Sequence, residues 1–202
     1  ENAPKDGSVT IIDWTSAYAG VGLWGPNSRK VLESLCEDDD VSNEAFPFFS
    51  IKNLSISHLP CITVRISYIG ELGWEIYTPT EYGLTLWDEL KEKSQEFNVI
   101  CAGAGAFESL RLEKGYRSLG ADIHTNSNPY EAGLGFTVKL KKDQNFIGKE
   151  SLIKLKQEPL KQKLCCMVME DNEGMALGKE PIYDESSKPI GYVTSTNYGY
   201  YV

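Results

Sequence analysis

The sequence predicts an α+β fold that gives way to β-rich material near residue 160. Three observations carry this. Before residue 160, short runs of apolar/polar alternation are interleaved with longer runs whose apolar residues recur every three or four positions, the marks of half-buried strands and amphipathic helices. Residues 62–78 read as a hairpin with a glycine-flanked turn. Beyond residue 160 the helical period stops, and Gly174, Gly178 and Pro189 punctuate short β-type runs.

The elements follow in chain order. Residues 8–12 alternate toward a strand, and a second short strand over 19–23 enters Trp24-Gly25-Pro26-Asn27-Ser28. Pro26 suits the first turn of a helix, and Val31, Leu32 and Leu35 give that helix an apolar stripe. Phe46-Pro47-Phe48-Phe49 reads as a packing plug and 51–56 as a strand. In the hairpin, the first arm (62–68) puts Ile62, Val64, Ile66 and Tyr68 on one face, and the second (74–78) puts Trp74 and Ile76 opposite Glu75 and Tyr77. Thr80 is the expected N-cap of a helix over 81–96 with Leu84, Trp87 and Leu90 on one side. A further helix over 104–114 stops at Gly115, and a loop rich in Asn, Pro and Gly runs from 120 to 134. A short helix over 149–156 precedes a polar linker, after which strands are expected at 164–169, 181–183 and 191–195. The domain division expected is therefore 1–160 and 161–202.

Composition narrows the function. A net charge of −9 with no lysine- or arginine-rich run argues against nucleic-acid binding. No apolar run approaches the roughly 18–20 residues a membrane-spanning helix needs. The acidic run Glu37-Asp38-Asp39-Asp40 reads as a solvated loop at a helix end, not a metal site. The five cysteines form no CxxC pair and no metal-spaced set with His58 and His124, so no metal is expected and the thiols read as reduced and mostly buried. Gly103-Ala104-Gly105-Ala106 lacks the six-residue nucleotide fingerprint and reads as the packed start of a helix. The N-terminus carries neither an initiator Met nor a signal peptide, and the chain is expected to be a piece of a longer polypeptide.

The hairpin concentrates the chemistry. A phenol (Tyr68) and a carboxylate (Glu75) on its two arms suit a flat, nitrogen-rich ligand, because a carboxylate accepts from ring N–H groups while a tyrosine stacks or donates. Periodicity alone places Glu75 on a solvated outer face. Tyr116 follows the helix-ending Gly115 on a loop able to hold an aromatic ring in a cleft. Arg111, two positions from Glu113 and so not facing it, reads as structural, paired with an acid elsewhere.

Five blocks in order resemble the folate-binding family of the glycine-cleavage T-protein: Gly22-Leu23-Trp24-Gly25-Pro26-Asn27-Ser28-Arg29, the hairpin Ser67–Thr78, Ser109-Leu110-Arg111-Leu112-Glu113-Lys114-Gly115-Tyr116, Asn128-Pro129-Tyr130-Glu131-Ala132-Gly133-Leu134, and Phe146-Ile147-Gly148-Lys149-Glu150. The resemblance implies a cloverleaf of ferredoxin-like α/β subdomains ending in an antiparallel, jelly-roll-like barrel, with this chain beginning inside the first part and stopping inside the last. It implies that Glu75 grips the pterin ring of tetrahydrofolate, that Tyr68 lines the same pocket, that Ile76 and Tyr77 shape its rim, and that Tyr116 contacts the folate. The family's second carboxylate, an aspartate on an earlier segment, has no counterpart here, since Asp13 sits in a different motif. No catalytic residue is therefore expected within the chain, and by itself it should bind folate weakly and not turn over.

One departure gives a finer reading. Phe107 stands where the aminomethyltransferases carry an arginine, and a benzene ring cannot replace the anion contacts of a guanidinium. Together with the wording of the other blocks, this is more similar to the folate half of dimethylglycine and sarcosine dehydrogenases. That likeness implies an FAD domain elsewhere in the same polypeptide, an N-methyl amine as substrate, and a mitochondrial-matrix or bacterial-cytoplasmic setting. The alternatives are a glycine-cleavage aminomethyltransferase, which docks a lipoyl carrier protein, and a non-catalytic relative of the same fold.

Overall fold

Alternation over residues 18–24 and 73–79 produces two strands that bury one side and leave the other partly open: Leu23, Trp74, Ile76 and Thr78 are buried, while Trp24, Glu75 and Tyr77 are half-buried. They are β1 (Tyr18–Trp24) and β4 (Gly73–Pro79) of a four-stranded antiparallel sheet that also contains β2 (Ile51–Ile56) and β3 (Leu59–Val64), in the order β1-β4-β3-β2. The computed structural model describes residues 3–36, 38–170 and 174–201; Glu37 of the acidic run lies outside the described residues. The chain divides into two units, Glu1–Ala104 and Gly105–Val202.

In the first unit, helices α1 (Ser28–Leu35) and α2 (Gly83–Glu96) cover one face of the sheet. Val31, Leu32 and Leu35 from α1 and Leu86 and Leu90 from α2 join Leu54, Ile56, Cys61, Trp74 and Ile76 in one apolar cluster. Trp74 is fully buried, 6.2 Å from the Phe46 ring, with the guanidinium groups of Arg29 and Arg65 at 5.2 and 5.9 Å from its centre. Among the described residues no helix of this unit covers the opposite face of the sheet.

Several expectations are corrected. Residues 8–12 form no strand, and Ile11 and Ile12 are exposed, because no neighbouring strand offers them a partner. The first hairpin arm is β3, ending at Val64, so Tyr68 lies in a loop over 65–72. Only Phe46 of the Phe46–Phe49 plug is buried. Thr80 opens a 3-10 turn (Thr80–Tyr82), and its hydroxyl donates to Ser16 O (2.9 Å) instead of capping α2. Leu84 and Trp87 point outward, since the packed stripe of α2 is Leu86–Leu90–Ser94. Of the cysteines, Cys36 and Cys61 are buried and the other three exposed; burial pushes the Cys36 thiol up to about 12, which makes it inert.

The second unit contains most of α3 (Ala104–Glu113), then α4 (Lys149–Gln157) and a two-stranded antiparallel sheet of β5 (Pro181–Tyr183) and β6 (Pro189–Tyr192). Residue 160, the expected boundary, falls within this unit. Residues 164–169 form no strand. Gly115 has φ +70°, a conformation that lets the chain leave α3 without Cβ strain. Arg111 is 2% exposed and sits at the centre of the unit. It donates to Glu108 Oε2 (2.6 and 2.8 Å), Asp122 Oδ2 (2.6 Å), Ser195 Oγ (3.0 Å) and Tyr116 O (3.0 Å). This is the structural pairing its sequence position suggests.

Candidate functional site

The open face of the sheet is built from alternate residues of three strands. In register, Gly22 lies across from Glu75, Gly20 across from Tyr77, Val64 across from Glu75 on the other side, and Ile62 across from Tyr77. Strand geometry puts all of these on one side, away from the fully buried Trp74 and Ile76. The glycines of β1 leave room for rings: a Cβ at Gly20 would lie 3.1 Å from the Tyr77 ring, and one at Gly22 would lie 2.1 Å from the Trp24 ring. Trp24 therefore lies over the backbone directly across from Glu75.

Tyr77 donates its phenolic hydrogen to Glu75 Oε2 at 2.5 Å. That hydrogen bond to the carboxylate, reinforced by partial burial and by the negative charge itself, pushes the Tyr77 phenol up to about 12. The phenol stays protonated and fixes one oxygen of Glu75. Among the described residues nothing donates to Oε1, and no cation forms an ion pair with Glu75. The carboxylate is thus oriented but retains free acceptor capacity.

A cavity of about 420 Å³ opens beside Tyr77, lined by Trp14, Thr15, Tyr18, Gly20, Ile62, Val64 and Tyr77. Trp14 and Tyr18 stack with centroids 5.3 Å apart and planes inclined by 21°. Its lining is mostly apolar and aromatic, and polar groups are few. Such a hollow takes a planar ring and orients it through one or two hydrogen bonds.

The sequence-based candidates fall into three groups. Glu75 and Tyr77 are brought together on the open face. Ile76 is corrected: it is fully buried on the core side of β4, so it supports the sheet and shapes no rim. Tyr68 is half-buried in the 65–72 loop of the first unit, and Tyr116 is half-buried in the second, its N–H donating to Arg111 O at 2.9 Å. The sequence reading missed Trp14, Tyr18 and Trp24. The available signal was Tyr18-x-Gly20-x-Gly22-x-Trp24, two glycines between two aromatics on one face of a strand.

The loop carrying Tyr68 is held at both ends. Trp24 Nε1 donates to Ile66 O (3.2 Å), while Gly25 N–H (2.7 Å) and the fully buried Ser28 hydroxyl (3.2 Å) donate to Leu72 O. Arg65 starts the loop with a hydrogen bond from Nη1 to Phe46 O (2.5 Å), and it shares Asn43 Oδ1 with Arg29 (2.7 and 2.8 Å). Burial, then the neighbouring Arg29 charge, lower the pKa of Arg65. Among the described residues no His/Cys/Asp/Glu cluster has metal-binding geometry, and no helix is long and apolar enough to cross a membrane.

Comparison with known proteins gives consistent matches. The family model described as GCVT N-terminal domain matches residues 1–142. Human mitochondrial dimethylglycine dehydrogenase is 38% identical over 201 residues, covering 99% of this chain and 23% of that protein. An aminomethyltransferase of Halothermothrix orenii is 37% identical over 185 residues, covering 92% of this chain and 50% of that one. The crystal structure of glycine cleavage system aminomethyltransferase T from Bartonella henselae matches with a TM-score of 0.68 at 26% identity, over 90% of this chain and 48% of that chain. The chain spans about a quarter of the dehydrogenase and half of the transferase.

Proposed function

The chain belongs to the GCVT N-terminal domain family, with a mixed α/β fold similar to the glycine cleavage T-protein, and on that premise we propose that it is the tetrahydrofolate-binding portion of a one-carbon-transferring enzyme. The observation that carries this is the Glu75–Tyr77 pair on the open face of the sheet, 2.5 Å apart, with Tyr77 lining a mostly apolar hollow that also contains Trp14 and Tyr18. A pterin presents ring N–H and NH2 donors, and Glu75 offers an oriented carboxylate with one oxygen unused. The residues fit the group. Glu75 would hold the ring through charge-assisted hydrogen bonds, Tyr77 would fix the carboxylate, and Tyr68 would contact the cofactor. Tetrahydrofolate, when bound, supplies the nitrogen that accepts the one-carbon unit. The protein's share is to place that nitrogen and exclude water around it.

The finer reading is the folate portion of an FAD-dependent dimethylglycine/sarcosine dehydrogenase-like enzyme, acting on an N-methyl amine delivered from a flavin domain of the same polypeptide. Phe107, in place of the transferases' arginine, supports it. Under this reading residues 1–160 are the folate-binding portion, residues 161–202 begin the C-terminal barrel, and the setting is the mitochondrial matrix or a bacterial cytoplasm. The aminomethyltransferase reading is supported by the near-equal identity to transferase sequences.

The test is titration calorimetry with folinic acid, a stable reduced folate, on the longest polypeptide that contains this chain. Glu75→Ala is expected to abolish binding, and unchanged affinity would refute the reading. Ultraviolet titration supplies a second readout. Tyr77 should ionise near pH 12, so stability held through its bond to Glu75 is complete below the ordinary tyrosine range and is lost as pH rises through 12. Glu75→Gln should return Tyr77 toward the ordinary value of about 10.

A further inference from the structure

The loop over 65–72, which joins β3 to β4, is fastened at both ends by one short segment lying 42 and 44 positions earlier in the chain. Trp24 holds Ile66 through its indole N–H; Gly25 and Ser28 hold Leu72 through an amide and a hydroxyl. Tyr68 sits between the two anchors. The packing around the segment is tight. A Cβ at Gly73 would lie 2.4 Å from both Leu23 O and Trp24 Cδ1, so the indole is pressed against the strand on which the loop ends. Ser28 is fully buried, and its one hydroxyl hydrogen is shared between Gly25 O (2.7 Å) and Leu72 O (3.2 Å), which ties the turn before α1 to the end of the loop. The same indole covers Gly22, the residue across from Glu75.

We propose that residues 24–28 are the mount that fixes how the 65–72 loop presents Tyr68 to the ligand, with Trp24 and Ser28 as positioning residues for folate capture. This rests on the function proposed above. Neither side chain needs to touch the ligand. Their effect is on the loop: a segment of eight residues free at either end would sample many backbone conformations, and each anchor removes part of that freedom before binding.

The test uses the longest polypeptide that contains this chain, with Trp24→Phe, which keeps a ring and removes the donor, and Ser28→Ala, which removes the hydroxyl. Ser34→Ala is the control, because it deletes a hydroxyl bonded to Val31 O in the same helix without touching the loop. Hydrogen exchange followed by mass spectrometry reads the amides of 65–72, and calorimetry reads folinic acid binding. Loop exchange in the first two variants is expected to rise about fivefold with the β2–β4 amides unchanged, affinity to fall by a similar factor, and Ser28→Thr to restore both. Ser34→Ala is expected to leave both as in the wild type. Unchanged loop exchange in both test variants overturns the mount. Faster loop exchange with unchanged affinity overturns its role in capture. A wild-type longest polypeptide that takes up no folinic acid defeats the proposed function and the capture role with it, while loop exchange still decides whether the mount exists.

Discussion

The first unit and the second are built on opposite principles. In the first, aliphatic and aromatic side chains from the sheet and both helices meet in one cluster around Trp74, and the arginines nearby lie at its margin. In the second, Ala132 is the one buried hydrophobic residue among those described, and the buried centre is polar: Arg111, with Ser109 bonded to Tyr198 O at 2.6 Å, and Asp122 accepting from Thr194 at 2.5 Å. Phe136, Ile147, Leu177, Tyr200 and Tyr201 are exposed there. An apolar cluster is held by non-directional burial and tolerates small shifts. A buried ionic network holds only while every partner is in place and correctly charged. The two units should therefore fail under different insults.

Truncation at the two centres has the largest expected effect. Arg111→Leu leaves Asp122 buried without its cation and should destabilise the second unit by about 3–5 kcal/mol. Trp74→Ala should cost the first unit a similar 3–5 kcal/mol through its cavity. Hydrogen exchange resolved by segment should show each loss in its own unit, and a uniform loss across both would break the contrast.

Acid is the next lever. Burial alone would raise the Asp122 carboxyl, but hydrogen bonds from Thr194, the Ser118 N–H, Ser195 and Arg111 outweigh it and hold the group below its usual 3.8. The stabilisation is then complete above pH 3.8 and is lost as pH falls through the lower, folded-state value. Pepsin cleavage mapped by mass spectrometry below that pH should appear first in residues 105–170, and Asp122→Asn should remove the pH dependence while weakening the unit at neutral pH. The smallest effect sharpens the apolar side. Thr63 Oγ1 is buried in the first unit with no hydrogen-bond partner. Thr63→Val removes an unsatisfied hydroxyl at nearly constant shape and should stabilise by up to about 1 kcal/mol, seen as a small rise in Tm.

The same contrast governs what was legible in the sequence. Where apolar periodicity decides the structure, as in β1, α1, β2 and β4, the elements form at or near their expected positions. The errors arose where two readings share residues. Leu84, Trp87 and Leu90 form one apolar stripe of α2, Leu86 and Leu90 another, and only contact with the sheet selects the second. Along β3, Cys61 and Thr63 face the core while Ile62 and Val64 face the open side, so the more apolar set marks the candidate site. Continued alternation through Ile66 and Tyr68 suggests more strand, but β4 pairs with β3 only over Ile62–Val64 and the chain leaves the sheet. The polar centre of the second unit has no period at all. Arg111 and Asp122 lie 11 positions apart and Thr194 lies 72 beyond Asp122, at no helical or strand spacing, and only the structure brings them together.

The indole of Trp24 fills the volume that any side chain at position 22 would need. The two positions therefore cannot change independently. An alanine at 22 is tolerated only after residue 24 has become smaller, and that step also removes the donor to Ile66. Mutational paths through this pair run in one order and pass through a variant with a loosened 65–72 segment, a form of epistasis in which the cost at one site is set by the residue two positions on.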